Sequence, residues 1–230
     1  MAKPKPFETK TVESYSSLVD DKLTPNAEMH LLIGGSYVAA DGEEHRYGHT
    51  ALRLKTSKFD LTFDFGRYGK TSGMFGESGE GILRVWSSFQ PYINGENALK
   101  RTTTAFVYLI FDHQAVGSRR YFDQLIKAGK ELVAKRTGSV SVHKLSIDYH
   151  ALGPNCTTIS MDGAKVAVPR IDVGSEKYNR PEDVLDFKER VALSANGGAK
   201  RLFLPANLQK FLSTASPVNL LRSDTYGGKK

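Results

Sequence analysis

The segment Gly153-Pro154-Asn155-Cys156-Thr157-Thr158-Ile159 carries the only cysteine of the 230-residue chain, and it reads as a break followed by a helix start. Gly-Pro interrupts regular structure. Asn is a favoured helix N-cap, because its side-chain oxygen accepts from a free backbone N–H of the first turn. Cys156 then stands at the start of the helix, where unpaired N–H groups and the macrodipole favour a thiolate. The competing reading is a small buried hydrophobe, which is what most free cysteines are.

Working outward, the decisive partner lies far upstream. Tyr47-Gly48-His49-Thr50-Ala51-Leu52-Arg53-Leu54 alternates as a half-buried strand and puts a histidine near its start. A thiol and a strand-borne imidazole are the minimum for thiolate nucleophilic catalysis. A histidine acting as base needs an acceptor to orient it. Asp60–Phe65 reads as the second arm of a hairpin. A two-residue turn at Thr56-Ser57 sets Lys55 against Lys58 and Asp64 against His49. A slip of one residue moves Asp64 to the other face. Asp60 and Thr62 share its face and are the fallback orienters. Tyr47 and Trp86 are candidate substrate contacts, each with a packing role as the alternative. His150, six residues before the cysteine, reads as a polar loop residue and as the substitute base. His30 and His143 lie within strand patterns and read as structural.

Further strands are expected at Met29–Val38, Ile82–Phe89, Thr102–Phe111 and Ser139–Ile147, the third nearly continuous in apolar residues and therefore central. Helices are expected over Ser118–Lys135, Asn155–Lys165, from Pro181-Glu182-Asp183 onward, and over Pro205–Leu212. The stretches 72–81 and Asn196-Gly197-Gly198 read as loops. The fold class is α+β, an antiparallel sheet with packed helices. Residues 1–28 form an N-terminal arm, 29–165 the catalytic core, and 166–230 a helical extension packed on the same domain.

The run Gly48-His49-Thr50-Ala51-Leu52-Arg53, then Phe63-Asp64-Phe65-Gly66-Arg67-Tyr68-Gly69, then Asn155-Cys156-Thr157-Thr158 resembles the circularly permuted, NlpC-type branch of the papain-like cysteine hydrolases. In that branch the histidine hairpin leads and an Asn-Cys helix follows. The resemblance covers roughly residues 29–165 and rests on motif and order. It implies a permuted papain-like fold with Cys156 as nucleophile, His49 as base and Asp64 as the third residue. It further implies hydrolysis of peptide amides in bacterial peptidoglycan, with stem peptides as substrate. A protein of this kind without a signal peptide resembles antibacterial effectors delivered by the type VI secretion system. Such a toxin is made in the cytoplasm, acts in the periplasm of a target bacterium, meets a secretion-machine component and is neutralised by an immunity protein. A lipid acyl hydrolase or acyltransferase of the same permuted type is the enzymatic alternative. A non-enzymatic binding module with a buried Cys156 is the other.

Composition narrows these classes. The net charge of +7 comes from 32 basic and 25 acidic residues that are scattered, not gathered with aromatics as in nucleic-acid binders. It suits attraction to an acidic surface. One cysteine excludes an intramolecular disulfide. Met1-Ala2-Lys3-Pro4-Lys5-Pro6 is not followed by the apolar region of a signal peptide, and the apolar stretch Met29–Ala40 is too short to span a bilayer. Neither a metal nor a cofactor is expected. His45 and His49, with Glu43 and Glu44 beside them, are four apart, but on loop and strand that spacing does not converge. The glycines of 72–81 lack the Gly-Lys-Ser/Thr ending of a phosphate loop.

Overall fold

Two strands that are apolar on both faces fix the architecture. They are β1 (Ala27–Gly34) and β5 (Thr103–Ile110), in which nearly every side chain is buried. A strand of that kind must be covered on both sides. Around them an eight-stranded sheet is completed by β2 (His49–Lys55), β3 (Asp60–Gly66), β4 (Ile82–Trp86), β6 (Lys130–Glu131), β7 (Val140–Lys144) and β8 (Arg222–Tyr226). Its order is β6-β7-β4-β3-β2-β1-β5-β8, and every neighbouring pair is antiparallel. The structure is a computed structural model and describes residues 24–38, 44–72, 78–132, 138–195, 198 and 200–228. Most of the expected arm, residues 1–23, lies outside the described residues, as do parts of both expected loops and the end of the helix drawn to Lys135.

One sheet face carries the main core. Met29, Leu31, Leu52, Leu54, Phe63, Phe65, Phe106 and Tyr108 pack there against α2 (Asp112–Lys127), α3 (Cys156–Ala167) and α5 (Pro205–Ala215). Phe63 of β3 stacks on Phe122 of α2 with ring centres 4.1 Å apart. A Cβ at Gly163 would sit 2.5 Å from the Phe122 ring, so a glycine there lets α3 approach closely. The opposite face packs Leu32, Ala51, Ala105 and Val107 against Tyr92 and Ile93 of α1 (Phe89–Ala98). A third cluster joins Leu185, Leu193, Phe203 and Leu204 to Leu152, and α4 (Phe187–Ala195) belongs to it.

The antiparallel α+β architecture is the one expected, but the β2–β3 register is not. The hairpin turn spans Thr56 to Phe59, closed by the Thr56 N–H donating to the Phe59 carbonyl at 2.8 Å, and Lys55 pairs with Asp60. The ladder is therefore offset by two residues from the expected one, and Asp64 is not directly opposite His49. An even offset preserves the face, because side chains alternate with period two. Elsewhere the strand drawn to Phe89 ends at Trp86, and α1 begins at Phe89. The helix expected from Ser118 begins at Asp112 and ends at Lys127. Pro181 opens only a 3-10 turn, Pro181–Asp183.

Candidate active site

The start of α3 is held by side chains on three sides. Asn155 is its N-cap in extended conformation, its side-chain oxygen accepting from the Thr158 N–H at 3.0 Å. The Thr158 hydroxyl accepts in return from the Asn155 N–H at 2.9 Å. The Asn155 amide nitrogen donates to the carbonyls of Ala151 at 2.8 Å and Phe203 at 3.1 Å. Toward the sheet, the hydroxyls of Thr157 and Thr50 lie 3.1 Å apart, and the Ser160 hydroxyl donates to the Thr50 carbonyl. Cys156, first residue of α3, is thereby fixed against the first residues of β2.

His49 opens β2. Gly48 before it has φ +73°, and a Cβ there would sit 2.5 Å from the Gly34 carbonyl oxygen. Only glycine satisfies both conditions, and the resulting turn places the imidazole at the end of β2 beside the α3 N-terminus. His49 hydrogen-bonds Asp64 through Nε2, 2.7 Å from Oδ1, and also hydrogen-bonds Cys156. With Nε2 committed to the carboxylate, Nδ1 is the ring atom left for the thiol. The expected convergence of Cys156, His49 and Asp64 is thus present, although the hairpin reaches it diagonally.

Asp64 is the hub. It is fully buried and accepts four hydrogen bonds. Oδ1 takes the His49 ring and the Tyr68 hydroxyl at 2.9 Å; Oδ2 takes Arg84 Nε at 2.8 Å and the adjoining terminal nitrogen. The Arg84 guanidinium also lies 3.6 Å from the centre of the Tyr68 ring. Arg84 is on β4, directly paired with Asp64 on β3. Tyr68 folds back over Gly66, where a Cβ would sit 2.5 Å from its ring. Sequence reading passed over both residues. The available signals were an arginine among apolar residues in Ile82-Leu83-Arg84-Val85-Trp86 and the glycine two residues after Asp64.

Protonation follows from this packing. Burial works against the His49 cation, but the charge and hydrogen bond of Asp64, then those of Cys156, raise its pKa to about 10. Burial would raise Asp64; Arg84, His49 and the Tyr68 hydroxyl hold it well below the usual carboxylate range. Burial likewise pushes the Cys156 thiol up, and the His49 hydrogen bond and charge, with lesser help from Thr50 and Thr157, bring it below its ordinary value. Each of the two groups thus favours the charged form of the other, thiolate beside imidazolium. The Tyr149 hydroxyl also bonds the sulfur, and burial first and the thiolate charge second raise its own pKa, so it stays protonated and donates.

The site is less open than a groove. Cys156 is 5 % exposed and His49 8 %, so an amide carbonyl reaches the sulfur only by displacing what covers it. Tyr47 is exposed and its hydroxyl accepts from Arg46. Trp86 packs edge-on against Tyr92 under α1, with its buried Nε1 unpartnered. His150 shapes the loop before α3, its Nδ1 accepting from the Leu152 N–H at 3.1 Å. The side chain of His45 and residue 43 lie outside the described residues. Among the described residues no group of three His, Cys, Asp or Glu side chains is placed to hold a metal.

Residues 184–205 hold both limbs of the site. Arg46 reaches Asp186 at 3.2 Å and Glu189 at 2.7 Å, and Leu152 packs with Leu185 and Phe203. Pro205 lies 3.4 Å from the Cβ position of Gly48. The C-terminal extension therefore supports the cysteine loop and the histidine turn. Comparison with protein-family models, with characterised proteins and with solved structures finds no match. Among the described residues no helix is long and apolar enough to cross a membrane.

Proposed function

We propose that the protein is a cysteine hydrolase of the circularly permuted papain-like, NlpC-type kind that cleaves peptide amide bonds. The observation that carries this reading is one imidazole bonded on one side to a fully buried carboxylate and on the other to a thiol at a helix start. In the reaction, the Cys156 thiolate attacks the amide carbonyl carbon and the carbonyl electron pair moves to oxygen. The Cys156 backbone N–H, at the start of α3, and the Tyr149 hydroxyl, beside the sulfur, are the donors assigned to that oxyanion. His49 gives its Nδ1 proton to the leaving nitrogen as the C–N bond breaks, leaving a thioester. Water then loses a proton to His49, attacks the thioester and releases the acid, and the thiolate–imidazolium pair returns. Asp64 stays ionised and holds the ring throughout.

The substrate follows from the resemblance: peptidoglycan stem peptides, with the protein acting as an antibacterial effector in the periplasm of a target cell, delivered by a type VI-like machine and countered by an immunity protein. The test is digestion of purified peptidoglycan by wild type, Cys156→Ala and His49→Ala, with fragments read by mass spectrometry. Loss of a defined stem-peptide product in both variants is expected. Cleavage that survives Cys156→Ala overturns the mechanism; release of fatty acid from phospholipid with intact peptidoglycan replaces the substrate by a lipid.

A further inference from the structure

The geometry points to a positioning role for Arg84: half-buried itself, it closes a row of four alternating charges with the buried Asp64, His49 and Cys156, and by making that row neutral it permits the thiolate at the far end. The inference rests on the thiolate–imidazolium reading of Cys156 and His49, but not on the identity of the substrate.

Each link of the chain is a direct contact. Arg84 Nε and a terminal nitrogen both donate to Oδ2 of Asp64, two charge-assisted hydrogen bonds on one carboxylate oxygen. Asp64 Oδ1 accepts from His49 at 2.7 Å, and His49 bonds Cys156. Taken in order the charges are plus, minus, plus, minus. Asp64 has no exposed surface and neither Cys156 nor His49 is more than a tenth exposed, so water screens these three weakly and reaches the row only at its Arg84 end. Without the Arg84 charge the remaining three groups carry net −1 in a poorly screened site. The least costly relief is one proton. Asp64 and His49 already bind each other as an ion pair, so the proton goes to the sulfur. Arg84 thus acts on Cys156 at third hand, without touching it.

The surrounding groups do not supply the missing charge. Tyr68 and Tyr149 are held protonated by burial and by the neighbouring anion, so they contribute hydroxyl dipoles only. From α1, Tyr92 is neutral for the same reason, and Glu96 is paired with Arg101 at 2.7 Å, a set that sums to zero. Arg67 faces Tyr149 but is exposed, so solvent screens its charge. Trp86 lies 5.7 Å from the Arg84 guanidinium and carries no charge.

The experiment follows thiolate absorbance in the ultraviolet against pH, with Cys156→Ser as blank, because that reading needs no reagent to enter a covered site. Wild type, Arg84→Met and Arg84→Lys are compared. Wild type shows thiolate below the ordinary cysteine range. Arg84→Met moves the midpoint upward by a unit or more, lowering the thiolate fraction about tenfold on the acid side. Arg84→Lys keeps the charge, stays near wild type and shows that the effect is not a packing defect. A folded Arg84→Met with an unshifted midpoint, or an Arg84→Lys shifted equally, overturns the inference. A wild-type thiol titrating at its ordinary value overturns the thiolate reading itself, and this inference with it.

Discussion

His49 and His30 occupy the same sheet face on adjacent strands, both are buried, and both touch a carboxylate, yet they are pushed in opposite directions. His30 is 1 % exposed and its Nε2 lies 2.9 Å from Glu28; burial first, then the Arg53 charge, lowers its pKa to about 4 against the pull of Glu28. His49 rises to about 10. Each carboxylate is also gripped by an arginine, Glu28 by Arg222 and Asp64 by Arg84. The difference lies first in the carboxylate, fully buried at His49 and partly exposed at His30, and then on the other side of each ring. His49 has Cys156 as a second partner, whereas the other ring nitrogen of His30 is buried with no hydrogen bond among the described residues, and Arg53 stands nearby. A histidine–carboxylate contact therefore does not define a catalytic base; the sum of charges around the ring does.

The largest expected contrast is in turnover. His49→Gln should lower amide hydrolysis about a thousand-fold, because general acid–base transfer at both steps is lost. His30→Gln should leave the rate within about twofold, since its contacts are Glu28 and the core under α1. Steady-state rates on a stem peptide check both. Equal losses would make the two histidines one unit and erase the distinction.

The carboxylates should differ in stability. Asp64→Asn removes the anion that Arg84 and His49 share in a site without solvent, and should cost about 3–5 kcal/mol in chemical denaturation. Glu28→Gln, in a partly exposed pair with Arg222, should cost about 1 kcal/mol or less. Comparable losses would mean that Asp64 is not the hub that its four hydrogen bonds indicate.

What the sequence made legible, and what it hid, divides along the same line. Local chemistry was readable. Asn155 as cap and Cys156 at the helix start follow from side-chain types alone, and β5 showed itself by unbroken apolarity. The His49–Asp64 contact was reached despite a wrong turn, because an offset of two residues conserves the face. Non-local pairings were not readable. Arg84 meets Asp64 through a strand pairing twenty positions away, and no local periodicity reports it. The strand drawn to Phe89 ran into α1, because Pro91 obscures a helix whose first turn it in fact occupies. β8 was missed because Arg222-Ser223-Asp224-Thr225-Tyr226 is polar, as an edge strand is allowed to be.

Acid should act on the two histidines differently. For His30 the folded pKa lies below the unfolded one, so its neutral form stabilises the fold above about pH 6.5 and this is lost as pH falls to about 4. The loss should be roughly 2–3 kcal/mol, and His30→Gln should flatten that part of the stability–pH curve. For His49 the sign is reversed. Its stabilisation is complete below about pH 6.5 and drains away only as pH rises toward about 10. Urea midpoints measured from pH 4 to 7 on wild type and His30→Gln test the acid limb, and an unchanged slope would remove His30 as its cause.

The smallest effect separates burial from charge at His30. Arg222 holds both oxygens of Glu28, at 2.8 and 3.0 Å, and adds a positive charge near the ring. Arg222→Met removes that charge and leaves Glu28 to His30 alone, while the packing that desolvates the imidazole stays in place. Burial is the larger cause of the depression, so the His30 midpoint should climb only partway, by about one unit or less, in an NMR titration of the ring protons. A return to the ordinary histidine value would assign the whole depression to Arg222. No movement would leave it to burial and to the Arg53 charge, which this variant keeps.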